Sequence, residues 1–409
     1  MRDARGLEPS NAPAPPVPRD VLEKRLIEVQ LALGRAGIDA LFVTAEDNFR
    51  YLTGFECPTW INAARPRYCI VPAKGDLILV VPTTNLSATR VTTWVQDIRT
   101  WVSPNPQDDG LSLVVDALSG CVKKGGCVGA EMGPQSRLAM PVGDFLHLRE
   151  KLSGIHMVDA DGLLREIRKI KGPFEVEQIR SVAGAASRAL ARLHSTMAAG
   201  CSEVEAVRAL QSMLLQEGVD QAPYVVAESG FGGYPALQMS PSDRRARDGT
   251  VLGIDVGCRR LGYFCDFNRN FAFGRVSDRV RRIDDVLWQA TQAGIRAAVP
   301  GAQVGEVWRA QAAVLDAGLS DLQARRSESG RMGHGIGLRL TEPPSIHPSD
   351  TTVLAPGMTI TIEPAAEFEI ETPTRSARRM LIHEENLVVT EDGPVLLSDR
   401  APRGLLDVH

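Results

Sequence analysis

Four acidic residues stand in stretches whose other residues suit buried strands. Val251-Leu-Gly-Ile-Asp255-Val-Gly257 is apolar apart from Asp255, and the extended run 263–273 is interrupted by Asp266. Thr359-Ile-Thr-Ile-Glu363-Pro sets Glu363 in a third run, and Met380-Leu-Ile-His-Glu384-Glu-Asn-Leu-Val-Val sets Glu384 in a fourth. Charged side chains are seldom buried unless paired, and a desolvated carboxylate needs compensation. If residues 259–262 form a four-residue turn, Cys258 faces Tyr263 and Asp255 lies opposite Asp266, with Cβ atoms about 4.5 to 5.5 Å apart. Like charges so placed either share a proton or hold a cation. For that pair alone, a solvated turn edge is the simpler reading. The two glutamates and His334, in Gly333-His-Gly-Ile-Gly337, turn the balance toward an ion. Four carboxylates with one imidazole suit Mn, Fe, Co or Zn, and shared carboxylates would allow two such divalent ions.

The elements that must position these residues alternate between helix and strand. Asp20 and Glu23 have the spacing of a capping box, and Leu22, Leu26, Val29 and Leu33 predict one helix face that ends at Gly37. A strand over 40–44 and a hairpin of 68–71 with 77–81 follow. Helices are predicted over 174–199 and 203–217, then a Gly- and Pro-rich stretch, 228–241, reads as a substrate loop. A strand pair over 251–273 precedes a helix whose Ile283, Val286, Ala290, Ala293 and Ala297 share a face, before Pro300 and Gly301. Strands are predicted through Ile360 and Ile362, and from Met380 to Val389.

With 409 residues, 44% of them apolar, the chain is long enough for two ordinary domains. Five prolines in residues 1–19 predict a flexible tail, and Gly172-Pro173 between two helical patterns puts the domain boundary near 165, giving domains 20–165 and 166–409. A net charge of -4 lacks the basic excess of a nucleic-acid binder. Seven cysteines without CxxC spacing read as free thiols in a reducing compartment. Without an apolar leader or an apolar run near 18 residues, the expected location is cytoplasmic, with no membrane contact.

The motifs Ile254-Asp255-Val-Gly with Asp266 eleven positions on, Gly333-His334-Gly-Ile-Gly, Pro356-Gly-Met-Thr-Ile-Thr-Ile-Glu363-Pro and Glu384-Glu-Asn-Leu-Val-Val-Thr-Glu-Asp-Gly393 resemble the pita-bread metallohydrolases: methionine aminopeptidase, prolidase, aminopeptidase P and creatinase. Asn48-Phe-Arg-Tyr-Leu-Thr-Gly54 and the Ile170-Lys-Gly-Pro junction resemble the prolidase and creatinase branch. The resemblance implies an α/β (α+β) chain: a smaller mixed α/β N-terminal domain and a pita-bread catalytic domain built on a curved antiparallel sheet. It further implies that Asp255 and Asp266 hold one divalent ion, that His334 and Glu363 hold a second, and that Asp266 and Glu384 bridge. A hydroxide between the ions would then attack a small amide or dipeptide, with Glu363 relaying the proton. A homodimer is implied by the same branch.

The likeness has gaps. Two histidines usual in prolidases and aminopeptidases P are replaced by Gln238 and Thr341, which cannot shuttle protons near neutral pH. With these two, His347 and Tyr234 are the candidate substrate contacts; His347, on a Pro-rich loop, reads more simply as a surface residue. His383 alternates with Glu384 and is expected on the opposite sheet face. The missing histidines also resemble the metal-dependent dimethylsulfoniopropionate lyases of the same fold. Those carry an Asp near the position of Thr341 and an acid where this chain has Gly257, so hydrolysis is the leading expectation and a lyase the alternative.

Overall fold

The computed structural model describes residues 17–236 and 238–408. Of the tail expected over 1–19, residues 1–16 lie outside the described residues, and Arg19 already belongs to a helix, Arg19–Ala36. Pro18 stands at its N-cap, so Asp20 falls in the first turn rather than capping it, where its charge complements the helix dipole. Leu22, Leu26, Val29 and Leu33 are buried as predicted, and Gly37 ends the helix at φ 67°. Among the described residues the chain divides after Arg168 into two compact units.

The first unit is built on a mixed sheet of β1 (Ala40–Val43), β2 (Tyr68–Pro72), β3 (Ile78–Pro82), β4 (Asp97–Trp101), β5 (Cys127–Ala130) and β6 (His156–Asp159), in the order β4-β3-β2-β1-β5-β6. The predicted hairpin is β2 with β3, registered through Cys69 and Leu79. The Asn48-to-Gly54 motif forms a short helix, Glu46–Thr53, moored by a buried carboxylate. Glu131 accepts hydrogen bonds from Thr44 N, Thr44 Oγ1, Ala45 N and Asn48 Nδ2 at 2.6–2.9 Å. Asn48 Oδ1 in turn accepts from Arg168 Nη1 at 2.6 Å.

Among the described residues the second unit holds three sheets. The first has the order β19-β10-β8-β7 from β7 (Gln221–Phe231), β8 (Thr250–Arg260), β10 (Phe267–Phe273) and β19 (Leu406–Val408), with β9 (Tyr263–Phe264) also on β8. The second is β11 (Ala324–Arg326), β15 (Ala365–Glu371) and β16 (Ser376–Ile382). The third orders β13 (Glu342–Ser345), β12 (His334–Gly335), β14 (Thr359–Ile362), β17 (Glu385–Thr390) and β18 (Gly393–Leu396). The helix Asp278–Ala297 buries Val280, Ile283, Leu287 and Ala290 in one apolar core with Leu315, Leu319, Phe368 and Leu381. Its buried stripe is therefore rotated from the predicted one, because Val286 is only partly covered and Asp284 is inside, bonded to His383 Nε2 at 2.7 Å.

Three further expectations change. Leu261 and Gly262, both at positive φ (47° and 82°), make a two-residue turn, so Arg260 faces Tyr263 and Asp255 faces Asn268 instead of Asp266. Asp266 falls opposite Gly257 in this register, one diagonal step from Asp255. The run from Met380 to Val389 is not one strand: β16 ends at Ile382 and β17 begins at Glu385 in another sheet. The partner run breaks beside it at Glu363-Pro364, where proline cannot donate to a ladder. Finally, part of the predicted loop, Glu228 to Phe231, belongs to β7.

Tyr234 is a core residue rather than a substrate contact. It is fully buried, accepts from Ile382 N at 2.7 Å and donates to Asn270 Oδ1 at 3.2 Å, tying β16 to β10. Tyr234→Phe leaves the Ile382 N–H without this acceptor and should cost about 1–3 kcal/mol, read as a lower urea midpoint with KM unchanged. A raised KM at unchanged stability would restore the substrate role.

Candidate metal centre

Glu363 and Glu384 sit where two chains cross side by side from one sheet to the other. Ile362 pairs with Glu385 before the crossing and Ala365 with Ile382 after it, so one register runs through the break and sets Glu363 opposite Glu384. The opposed acids of this site are therefore these two, not Asp255 and Asp266. Glu385 turns the other way, to Arg269 Nη2 at 3.2 Å and Arg400 Nη1 at 3.1 Å.

Asp266 lies between β9 and β10, where no strand neighbour holds its main chain. The buried Asn386 side chain takes that place: its Oδ1 accepts from Asp266 N at 2.9 Å, and its Nδ2 donates to Asp266 O. His334 is brought in by Gly333, whose backbone passes so close to Thr361 O that a Cβ would lie 2.3 Å from it. His334 N then donates to Thr361 Oγ1 at 3.1 Å.

These elements gather Asp266, His334 and Glu384 so that one potential ligand atom of each lies within 4.8 Å of the others. The three are 2–5% exposed. Asp255 and Glu363 line the same cavity, of about 570 Å³, with Gln238, Thr341, Arg331 and Tyr224. Gln238 and Thr341 are exposed at its wall. His347 is not among the lining residues: Ile346 is buried in the core, and His347 Nδ1 instead meets Ser349 Oγ at 2.7 Å.

The electrostatics are those of charges lacking a counter-charge. Burial, then the Asp266 charge, pushes the Asp255 carboxyl well above its ordinary range, and burial, then Glu363, does the same to Asp266. Glu384 is raised by burial and then by Asp266 and Asp255. His334 is lowered, chiefly by burial. Asp255 Oδ1, Asp266 Oδ1 and Glu384 Oε1 are buried without a hydrogen-bond partner among the described residues. His334 Nδ1 lies 2.9 Å from Gly335 O; a carbonyl only accepts, so Nδ1 carries the proton and Nε2, 3.5 Å from Asp266 Oδ2, is left as a bare donor atom. Three orphaned carboxylate oxygens and a neutral imidazole fit divalent cations.

Sequence reasoning missed Tyr224, Asn386 and Arg331. Tyr224 Oη donates to Asp255 Oδ2 at 3.1 Å from the strand next to β8. The Tyr-Val-Val run at 224–226 carried strand propensity, whereas the roles of Asn386 and Arg331 had no periodic signal.

Because the acids are held above their ordinary values, the ion-free folded chain keeps protons that the unfolded chain has released. Its stability should fall over the interval in which pH rises above the ordinary carboxylate value of about 4. Thermal unfolding of chelated protein should register a declining Tm, and added Mn or Zn should flatten the slope. A Tm that climbs with pH across that interval would show that the fold compensates the acids without a cation.

Residues 177–391 match metallopeptidase family M24, and residues 25–170 match the creatinase/prolidase N-terminal domain. The probable dipeptidase PepE of Mycobacterium tuberculosis (strain ATCC 25618 / H37Rv) is 29% identical over 385 residues, 93% of this chain and 95% of that protein. The crystal structure of dipeptidase PepE from Mycobacterium ulcerans matches at TM-score 0.77 and 28% identity, over 95% of this chain and 98% of that one. Recombinant prolidase from Thermococcus sibiricus, at TM-score 0.79 and 24% identity over 94% and 98% of the two chains, has the same fold. The expected pita-bread catalytic domain, preceded by a mixed α/β domain, is thus the architecture of this protein. With the family match spanning more than half of its length, the chain belongs to metallopeptidase family M24 and is a metal-dependent hydrolase.

Proposed function

We propose that the chain hydrolyses a dipeptide or a related small amide with two divalent ions held by Asp255, Asp266, His334, Glu363 and Glu384. The observation that carries this reading is the set of buried, unpartnered carboxylate oxygens on Asp255, Asp266 and Glu384 around the bare His334 Nε2. When bound, the ions supply an acidified water and polarise the scissile carbonyl. The remaining work falls to the chain. Tyr224 Oη holds Asp255 by one oxygen and leaves Oδ1 free to coordinate. Asn386 fixes the main chain from which the Asp266 carboxylate projects.

Glu363 is half-buried, its side chain 21% exposed, and its Oε1 is engaged by Arg331. Its other oxygen, Oε2, takes the proton from the nucleophile and passes it to the leaving amine. Gln238 and Thr341, neutral hydrogen-bonding residues at the wall, orient the amide without carrying protons. PepE, the relative named as a probable dipeptidase, supports a dipeptide as the substrate. A homodimer in the cytoplasm completes the reading, the first from resemblance to the creatinase branch and the second from seven free cysteines.

Gly257 favours hydrolysis over lyase chemistry. A Cβ at that position would lie 2.4 Å from Leu340 Cδ1 and 3.1 Å from Tyr224 Cδ1, so the further acid of the lyases would require the Leu340 side chain to move aside.

Metal analysis should find two ions per chain, and exhaustive chelation should abolish turnover of alanyl dipeptides. Asp266→Ala should fall below one ion per chain and lose more than about a hundredfold in kcat/KM, with no rescue by excess metal. In oxygen-18 water the product carboxylate should gain one label; an unsaturated product without label would establish the lyase instead.

A further inference from the structure

The helix Glu203–Gln216 is capped without its first side chain: Ser202 Oγ accepts from Glu205 N at 3.2 Å, and Glu205 Oε2 accepts from Ser202 N at 2.8 Å. Glu203 is nevertheless 2% exposed, and each oxygen of its carboxylate takes two donors from one serine. Oε1 accepts from Ser229 N at 2.8 Å and Ser229 Oγ at 2.7 Å. Oε2 accepts from Ser242 N at 2.9 Å and Ser242 Oγ at 2.7 Å. Ser229 lies on β7, and Ser242 follows the Gly- and Pro-rich stretch, so one oxygen holds each end of that loop. Arg244 reaches back from the far end across the same carboxylate: its Nη1 donates to Ser229 O at 2.6 Å and lies 3.4 Å from Glu203 Oε1.

Main chain docks the far end as well. Glu203 N donates to Arg244 O and Val204 N to Ser242 O, both at 3.2 Å, so the loop's exit satisfies two N–H groups of the helix start. Between the two ends Tyr234 is fixed in the core, and beyond it Ala236 and Gln238 line the metal cavity. Gln238 is exposed at that wall and Met239 is 55% exposed, so neither is located by its own burial. Burying a carboxylate at a helix start that is already capped costs desolvation, which is offset here by charge-assisted hydrogen bonds that close the loop.

We infer that Glu203 is a positioning residue for substrate binding: by fastening the loop at both ends it holds Gln238 at the wall of the metal cavity, which Glu203 does not itself line. This rests on the hydrolase reading above, in which Gln238 orients the amide. The competing role is stability alone, with Glu203 serving the helix and the loop but not Gln238. A glutamine at position 203 would turn an NH2 group toward the donors of one serine, so only one end would stay fastened.

The test is a double-mutant cycle on metal-loaded protein turning over alanyl-alanine, with ion content and Tm checked for each variant. Glu203→Gln should raise KM about five- to tenfold, with kcat within about twofold and ion content unchanged. Gln238→Ala should do the same, and the double variant should have no higher KM than Gln238→Ala alone, because Glu203 acts through Gln238. An unchanged KM in Glu203→Gln, whatever its Tm, overturns the inference, and so does a double variant whose KM exceeds that of Gln238→Ala. If Glu203→Gln does not fold, Ser242→Ala, which removes one of the four serine donors, replaces it in the cycle with a KM rise of about two- to threefold and the same two overturning results. If the loaded wild type cleaves no dipeptide, the hydrolase reading fails by itself. Hydrogen–deuterium exchange then decides the role of Glu203: faster exchange over 235–243 in the variant, with β8 and β10 unchanged, supports it, and unchanged exchange overturns it.

Discussion

The second unit is organised around a repulsion it does not relieve with its own charges. Asp266 and Glu384 are buried beside the half-buried Asp255, whose Oδ1 is itself covered, and lost hydration with neighbouring charge raises the pKa of each above its ordinary range. A fold optimised for stability alone would replace such a cluster with apolar side chains, commonly at no loss. Keeping it makes sense where divalent charge supplies the missing term, because then the same desolvation that penalises the acids strengthens their hold on a cation.

What keeps the acids from moving apart is main-chain structure. Asn386 grips both polar groups of the Asp266 peptide, and Gly333 lets His334 approach β14 at a separation no other residue would permit. His383, next to Glu384, is anchored in the opposite direction to Asp284 on the helix Asp278–Ala297. The placement of the acids is thereby set by packed elements, while Gln238 and Thr341 stand exposed at the cavity wall.

The family motifs were legible because the chemistry needs acids where a strand pattern needs apolar residues. Asp255, Asp266, Glu363 and Glu384 each broke such a pattern, and the structure brings all four to one cavity with His334. Local turn chemistry was harder to read. The Leu261-Gly262 pair closes the hairpin in two residues where four were expected, and this moved Asp255 from Asp266 to Asn268. The crossing of two segments between sheets was invisible, since apolar residues flank the break on both sides, at 380–382 and 387–389, and only Pro364 marked the partner run. Tyr234, a candidate substrate contact, is consumed by core hydrogen bonds, whereas His347 meets Ser349 at the surface, the simpler of its two readings.

The register shared on both sides of the crossing also has a metric meaning. Ile362 with Glu385 and Ala365 with Ile382 lock Glu363 across from Glu384 from both flanks, so the spacing of these two carboxylates is quantised by peptide geometry. A slip by one position would offset them by a whole strand increment, about 3.3 Å, close to the separation of the two metals in dinuclear centres, about 3.5–4 Å. The opposition of Glu363 and Glu384 is therefore fixed from both flanks, and an insertion beside Pro364 or His383 would carry one acid past the other.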